Sequence, residues 1–290
     1  MAELDLRENL RLICNTLGFS RQAYYKRELM EPCKQEKVEQ VWNEVLEIRA
    51  KLPNLGVRKL HRKMTTKIGR DALFHLLRDR GMLSRLRAVR IVTTNSKHAR
   101  QVYPNLIKDV KVTAPNQVWV SDITYLSTLE GFCYLALVTD IFSRRIMGYH
   151  LSTSMDKSLP LEALKKAFLF AGKPQGLIHH SDKGSQYCSR EYIEYLDSNG
   201  FSISMTGPNH CYDNAVAERV NGILKYEFEL KLVQANPKAA KNLVANSVLL
   251  YNTYRPHLAL AYKTPQAVYD EHVNKANQAD ESFSESTLCA

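Results

Sequence analysis

The stretch that decides the fold begins with IHHSDKGSQY at residues 178–187 and ends with DNAVAERVNGILK at residues 213–225. It contains two acidic residues, Asp182 and Glu218, with 35 residues between them. A short apolar run precedes Asp182 and a Lys-Gly turn signal follows it, so this carboxylate is predicted to lie at the end of a strand. Few unrelated folds require two acids at this spacing.

The second half of the stretch has the period of an amphipathic helix, with about 100° between successive residues. Its apolar face holds Val216, Val220, Ile223 and Leu224. Its polar face holds Asn214, Glu218, Asn221 and Lys225. Glu218 is therefore predicted to point away from the core, with Lys225 two turns further along the same edge.

A third acid, Asp122, occurs upstream in QVWVSDITY at residues 117–125. The β-branched and aromatic composition of this segment predicts a strand with Asp122 in its middle. A carboxylate in such a strand is costly unless it is neutralised, and a divalent cation is one way to neutralise it. Three such acids could hold a pair of metal ions.

The chain resembles the retroviral-integrase-like transposases, and most closely the OrfB-type transposases of insertion sequences of the IS-three type. The resemblance covers roughly residues 38–269. The matching motifs are WVSDITY at 119–125, HSDKGSQY at 180–187, DNA at 213–215 with Glu218 and Lys225, and YNTYRPH at 251–257.

The resemblance implies an α/β fold: an RNase H-like core with a five-stranded mixed sheet flanked by helices. The residue pattern before this core predicts a small all-helical helix-turn-helix region. The resemblance also implies a catalytic and metal-binding triad of Asp122, Asp182 and Glu218. In this arrangement Asp122 bridges two Mg²⁺ ions, for which Mn²⁺ can substitute, and each of the other two acids completes one site. The hydropathy pattern alone supports only a mixed α/β layered fold.

The residue pattern and the resemblance together divide the chain into six predicted parts. A short helix-turn-helix covers residues 1–35, a helical DNA-contacting module 36–83, a basic linker 84–115, the RNase H-like catalytic core 116–230, a C-terminal helical extension 231–271 and a disordered tail 272–290. Within the first part, Gly18 breaks a helix and Ser20 can cap the next one. An ordinary helical hairpin has the same outline.

Positive charge is concentrated in the first third of the chain. The whole chain has a net charge of +10, and residues 1–110 contain 23 basic and 12 acidic side chains. This excess predicts contact with DNA phosphates, although a solvated lysine-rich surface would have the same composition. The candidate DNA-binding residues are Arg21, Gln22, Arg58, Lys59, Arg62, Lys63, Asn214, Asn221 and Lys225.

The six cysteines include no C-x-x-C pair, and no signal peptide or long apolar run is present. These features predict a reduced cytoplasmic protein without a membrane segment. The resemblance implies a bacterial protein that associates with the nucleoid when active. The cysteine pattern also argues against the His-His-Cys-Cys zinc domain that begins retroviral integrases. Arg255 and His257 could either pack the C-terminus against the core or contact DNA.

The resemblance, together with these features, implies a metal-dependent transposase that cleaves insertion-sequence DNA ends and joins them to a target. Its expected partners are double-stranded DNA, at least one further copy of the chain, and a protein from an upstream reading frame (OrfA). One alternative is a catalytically inactive helix-turn-helix regulator derived from a transposase. Another is an RNase H-like nuclease acting on RNA–DNA hybrids, which would not need the basic helical N-terminal region.

Overall fold

The computed structural model describes residues 10, 12–84, 101–207 and 214–275. The helices are α1 (Arg21–Lys51), α2 (Val57–Lys63), α3 (Arg70–Asp79), α4 (Ser158–Phe170), α5 (Arg190–Ser198), α6 (Ala215–Glu227), α7 (Pro237–Thr253) and α8 (265–275). The strands are β1 (Val118–Thr128), β2 (Gly131–Asp140), β3 (Ile146–Ser152), β4 (Ile178–Ser181) and β5 (Ser202–Met205).

The five strands form one mixed sheet in the order β3-β2-β1-β4-β5. β1, β2 and β3 are antiparallel neighbours, while β4 runs parallel to both β1 and β5. The order along the chain is three strands, helix, strand, helix, strand, helix, as the resemblance implies. This architecture confirms the RNase H-like core.

Both faces of the sheet are buried, as the alternation along β2 illustrates. Leu135 and Leu137 belong to a core that includes α6 and α7, whereas Ala136 and Val138 belong to a core that includes α4 and α5. Because successive side chains of a strand point to opposite faces, an apolar strand of this kind requires cover on both sides. The molecule is therefore layered, with the sheet between two sets of helices.

The N-terminal segment differs from the prediction in one respect. Residues 12–16 are helical, Gly18 turns with φ of 73°, and the Ser20 hydroxyl accepts a hydrogen bond of 3.1 Å from the Ala23 amide. The boundary predicted at residue 35 lies inside α1, which continues without a break from Arg21 to Lys51. The segment is rich in Arg, Lys, Glu and Gln, which favour helix, and no glycine interrupts it.

The helical module and the C-terminal extension share a single core with the catalytic sheet. Val45 of α1, Leu60 of α2 and Leu73 of α3 lie in one cluster with Leu135 of β2 and Tyr251 of α7. All five are at most 1% exposed. Residues 36–83 and 231–271 are therefore structural parts of the catalytic body and not separately packed modules.

The C-terminal helix α8 runs through residue 275, so the predicted start of the tail at residue 272 is wrong. His272 is held in the helix, where its Nδ1 lies 3.0 Å from the Val268 carbonyl and its ring contacts that of Phe142 edge-to-face. In the part of the chain described, no helix has an apolar stretch long enough to cross a bilayer.

Candidate active site

The strand register places Asp122 and Asp182 side by side. Val120 of β1 is paired with His180 of the parallel strand β4, and each aspartate lies two residues beyond its member of this pair. Parallel neighbouring strands are about 4.8 Å apart, and residues two apart face the same side of a sheet. The predictions of Asp122 within a strand and of Asp182 just beyond a strand end are confirmed.

The two carboxylates line one pocket at the point where β4 ends and leaves the edge of β1 uncovered. This cavity has a volume of about 130 Å³. The Asp122 carboxylate accepts hydrogen bonds from the Asn221 amide at 2.8 Å and the Ile123 backbone at 2.9 Å. The Gly184 backbone donates to Asp182 Oδ1 at 2.9 Å. Each carboxylate is therefore held in a defined orientation.

The pocket favours a positive charge. Burial raises the pKa of Asp122 to about 7, and the nearby negative charge of Asp182 acts in the same direction. The hydrogen bonds from Asn221 and Ile123 lower the pKa, but they do not offset burial. Closely spaced carboxylates that resist ionisation are stabilised by a cation between them. Their oxygen-only donor set suits a hard ion such as Mg²⁺.

Glu218 lies next to this pair but does not line the pocket. It is exposed in the first turn of α6, and its charge is close enough to raise the pKa of Asp122 further, as the smallest contribution. Residues 208–213, which precede this turn, lie outside the described part of the chain. Within the described part, no three His, Cys, Asp or Glu side chains are arranged to hold a metal ion.

Asn214 and Asn221, predicted as DNA contacts, are buried against β1 in the free protein. They are 4% and 6% exposed, and the Asn214 amide donates to the Ser121 carbonyl at 3.1 Å. Both therefore tie α6 to β1. The helical period correctly places them on a polar face, but that face packs against the strand that carries Asp122 and is not open to solvent.

Lys225 lies beside the pocket. Its Nζ is 4.5 Å from the centroid of the Tyr125 ring, and Tyr125 lines the pocket with the two aspartates. Burial lowers the pKa of Lys225, and the negative charge of Asp122 counteracts this shift. The positive charge is thus held close to the carboxylates. Its predicted place along the same helix edge as Glu218 agrees with this position.

The basic patch on α2 divides into two pairs, of which only one is open to solvent. Arg58 and Arg62 are exposed. Lys59 forms an ion pair of 3.3 Å with Glu227, and Lys63 donates to the Tyr254 carbonyl at 3.0 Å. These two lysines therefore bind groups of the protein itself, because α2 packs against the C-terminal end of α6 and the residues after α7.

The remaining predicted DNA contacts are exposed, and the basic linker is described only in part. Arg21 and Gln22 are exposed in the first turn of α1. Of the linker's basic side chains, Lys108 and Lys111 are exposed. The other five lie outside the described residues: Arg85, Arg87, Arg90, Lys97 and Arg100.

Arg255 and His257 are buried within the fold. Arg255 is 1% exposed and makes two hydrogen bonds to the Glu227 carboxylate, at 2.8 and 2.7 Å. The buried ring of His257 lies edge-to-face on that of Tyr251 with the centroids 4.8 Å apart. Of the two roles left open by the sequence, packing of the C-terminal segment against the core is the one that their burial supports.

Sequence analysis does not assign Tyr125 to the site and treats Gly184 only as part of a turn signal, although both residues line the pocket. For Gly184 a signal existed, because a glycine two residues after an aspartate is typical of a turn in which the carboxylate accepts the backbone N–H. For Tyr125 no comparable signal exists. Its proximity to Lys225 depends on how α6 crosses the sheet.

Two family models, both described as Integrase core domain, match residues 112–211 and 199–265. A protein of insertion element IS600 from Shigella sonnei is 33% identical over 90% of this chain and 98% of its own length. The transposase for insertion sequence element IS904 from Lactococcus lactis is 35% identical over 70% of this chain and 79% of its own length. The transposase InsF for insertion sequence IS3A from Escherichia coli is 40% identical over 45% of this chain and 46% of its own length.

Among solved structures, the HTLV-2 integrase catalytic core domain in complex with magnesium is 20% identical with a TM-score of 0.45, covering 55% of this chain and 99% of that one. Integrase core domains are metal-dependent and act on DNA. The chain thus belongs to the transposases of IS3-type insertion sequences, which carry an integrase core domain and act as polynucleotidyl transferases.

Proposed function

We propose that Asp122, Asp182 and Glu218 form the metal site of this transposase, and that the site cuts the ends of an insertion sequence and joins them to target DNA. The observation that carries this proposal is the convergence of Asp122 and Asp182 in one pocket, two residues beyond a paired position of adjacent parallel strands. The carboxylates would hold two Mg²⁺ ions, and Mn²⁺ would substitute for them.

When bound, the two ions supply charge neutralisation at the scissile phosphate and activation of the attacking oxygen. The protein's own residues orient the carboxylates that would bind these ions. Asn221 fixes Asp122, and the Gly184 amide fixes Asp182. Lys225, held near Asp122, would bind a DNA phosphate next to the scissile bond. Hydrolysis would free a 3′-OH at the transposon end, and this hydroxyl would then attack the target strand.

Glu218 would complete the site by a change in its side-chain rotamer. It lies one helical turn before Asn221, whose amide touches the Asp122 carboxylate. A glutamate has three rotatable side-chain bonds, so an exposed Glu218 at this position can turn towards the aspartates once a cation offsets their repulsion.

DNA would extend from the pocket across exposed basic groups. Arg58 and Arg62 on α2, with Arg21 and Gln22 at the start of α1, are the candidate contacts on the helical part. Joining two transposon ends would require at least two copies of the chain. Leu17 and Phe19 expose 62% and 57% of their surface beside the start of α1, and they offer an apolar contact for a second copy or for an OrfA protein.

The test is strand transfer by the variants Asp122→Asn, Asp182→Asn and Glu218→Gln, with a DNA duplex that ends in the element's own terminal sequence. In Mg²⁺, each variant should lose activity by about 1,000-fold or more, because the nearly isosteric amide cannot supply a carboxylate's charge. Matched controls are Asp156→Asn and Glu191→Gln, which change exposed acids outside the pocket and should retain wild-type rates.

A binding measurement distinguishes a variant that has lost the metal site from one that has lost its fold. Mn²⁺ titrated by calorimetry should bind the wild-type protein and the Asp156→Asn control but not Asp122→Asn, while all three unfold at similar temperatures. Retained strand transfer in any of the three triad variants would remove that residue from the site. Wild-type DNA binding without metal-dependent cleavage would instead identify an inactive regulator.

A further inference from the structure

An exposed aromatic ring continues the surface of the pocket that the two aspartates line. Phe132, near the start of β2, is 56% exposed. Its ring meets that of Tyr125 edge-to-face, with the centroids 5.6 Å apart at an angle of 89°. Tyr125 in turn lines the pocket with Asp122 and Asp182. The lining of the pocket therefore continues, through Tyr125, onto an apolar ring that is open to solvent.

Phe132 lies at the far end of an open stretch of β1. On one edge, β4 pairs with β1 as far as Val120, and the loop after α6 meets the same edge again at Ser127, whose carbonyl accepts a hydrogen bond of 2.9 Å from the Gln234 amide. Between these two points, no strand of the described chain pairs with this edge. Asp122 lies at one end of the open stretch, and Ser127, the partner of Phe132 in β2, lies at the other. The stretch is about 17 Å long, at about 3.3 Å per residue.

Two lysines place positive charge along this open stretch. Lys225 Nζ lies 4.5 Å from the centroid of the Tyr125 ring. Lys231 is exposed in the loop after α6, where its amide donates to the Lys225 carbonyl at 3.1 Å and its Nζ lies 5.1 Å from the centroid of the Tyr226 ring. Positive charge beside open aromatic rings is the combination that binds single-stranded nucleic acid, since ammonium groups attract phosphates and a ring stacks on a base.

We propose that Phe132 is a stacking platform for an unpaired base at the end of the DNA, close to the phosphate that the aspartates receive. This inference rests on the proposed function, because it assigns the neighbouring part of the same substrate. A base inside a duplex is covered on both faces by its neighbours, so only a terminal or unpaired base can stack on a side chain. Stacking on Phe132 would hold the end of the duplex open and keep the strand along β1.

The test compares two DNA ligands with the element's terminal sequence, one fully paired and one whose terminal base pairs are mismatched. Both Kd values are measured in EDTA, so that neither ligand is cleaved. The wild-type protein should bind the mismatched end more tightly, because no base pair has to be opened. Phe132→Ala should weaken binding of the mismatched end by about 5- to 150-fold, the range for one base stacked on an aromatic ring, and should abolish the preference.

Two further variants identify stacking as the interaction. Phe132→Trp supplies another flat ring and should bind the mismatched end within about twofold of the wild-type protein, whereas Phe132→Leu remains apolar but has no ring and should lose the preference. Removing single bases from the mismatched end should locate the stacked one. At that position an abasic nucleotide should weaken wild-type binding by the same factor as Phe132→Ala, and combining the two changes should cost no more than either alone.

The matched control is Phe170→Ala. Phe170 is 52% exposed at the end of α4 and does not line the pocket; its ring packs on the Arg145 guanidinium, with 3.9 Å between the guanidinium carbon and the centroid. This variant should leave both Kd values unchanged. All of the variants should unfold at similar temperatures, because each replaces a ring that is more than half exposed.

The competing explanation is that a second copy of the chain covers this surface, since Leu129 and Val233 beside it are also exposed. In that case Phe132→Leu would bind the mismatched end like the wild-type protein, and Phe132→Ala would lower the mass of the free protein in sedimentation. Either result, or an equal loss of binding for paired and mismatched ends, would overturn the inference. Because the Kd comparison needs no metal, it decides the role of Phe132 even if Asp122→Asn retains strand transfer and the proposed metal site fails.

Discussion

At the scale of single residues, the position of a side chain decides between roles that its chemical type leaves open. Asn221 is a plausible DNA contact by type and by helical period. In the folded chain its amide donates to Asp122, 99 residues earlier, and the side chain is buried. Lys59 likewise belongs to a basic patch in the sequence but forms an ion pair with Glu227. Both residues act on the protein itself.

Gly184 gives a prediction at the same scale. A Cβ at this position would lie 2.9 Å from Asp182 Oδ1, closer than real Cβ contacts allow. In Gly184→Ala the carboxylate must therefore rotate away from its present position. We expect strand transfer to fall by about 100-fold, the typical effect of misplacing a reacting group by about 1 Å.

The control for this prediction is Gly222→Ala, because a Cβ at Gly222 meets nothing within 4 Å. Gly222 lies within α6, so alanine should stabilise the helix by about 0.5–1 kcal/mol and leave the rate unchanged. The measurements are single-turnover rates and urea unfolding of both variants. Wild-type activity in Gly184→Ala would show that Asp182 does not need its present orientation.

At the scale of elements, α6 is the helix that organises the site, and it is fixed at both ends. At its N-terminal end the Asn214 amide bonds to Ser121 of β1. At its C-terminal end Glu227 lies between Lys59 of α2 and Arg255. Burial alone would raise the pKa of Glu227, but the hydrogen bonds and positive charges of Arg255 and Lys59 outweigh it and lower the pKa. The glutamate is thus held in its charged form.

This arrangement predicts the effect of breaking the pair. Arg255→Met removes the main positive charge that stabilises the buried Glu227 carboxylate. The free energy of unfolding should therefore fall by about 3–5 kcal/mol. Adding Glu227→Gln should recover part of the loss, since the unpaired charge is then gone. Urea unfolding of the two single variants and the double variant measures this coupling.

The control for the ion pair is Lys263→Met, which breaks the exposed pair between Lys263 and Glu271. Surface pairs contribute little, so this variant should lose at most about 1 kcal/mol. Equal losses in Arg255→Met and Lys263→Met would contradict the structural role of the buried pair at the end of α6.

At the scale of the whole molecule, the shared core makes the helical part and the catalytic sheet unfold together. Leu60 of α2 is fully buried in the cluster that includes β2 and α7. Leu60→Ala should therefore lower the stability of the catalytic sheet by about 2–5 kcal/mol, the usual range for a buried leucine. Trp119 of β1 reports on the sheet by fluorescence in a Trp42→Phe background, since the chain has only two tryptophans.

The control for this prediction is Leu249→Ala on α7, where the side chain is 58% exposed. That change should alter stability by no more than about 0.5 kcal/mol. If the helical part is an independent module, Leu60→Ala will leave the urea transition of Trp119 unchanged, and the single-core description fails.

The sequence by itself determined the elements that depend on local pattern. The motifs around Asp122 and Asp182 predict acids within a strand and just after one. The family resemblance supplied the order of strands and helices along the chain. These features need only local hydrophobic period and turn chemistry, which neighbouring residues encode.

The tertiary structure alone decided which charged and polar groups face the site. The parallel register of β1 and β4 brings the two aspartates together, and the packing of α6 turns Asn221 towards Asp122. It also decided that Lys59 and Arg255 meet at Glu227, and that α1 to α3 share a core with the sheet. The physical reason is that these contacts join residues far apart in the chain, and no local pattern specifies which distant surface a helix face will cover.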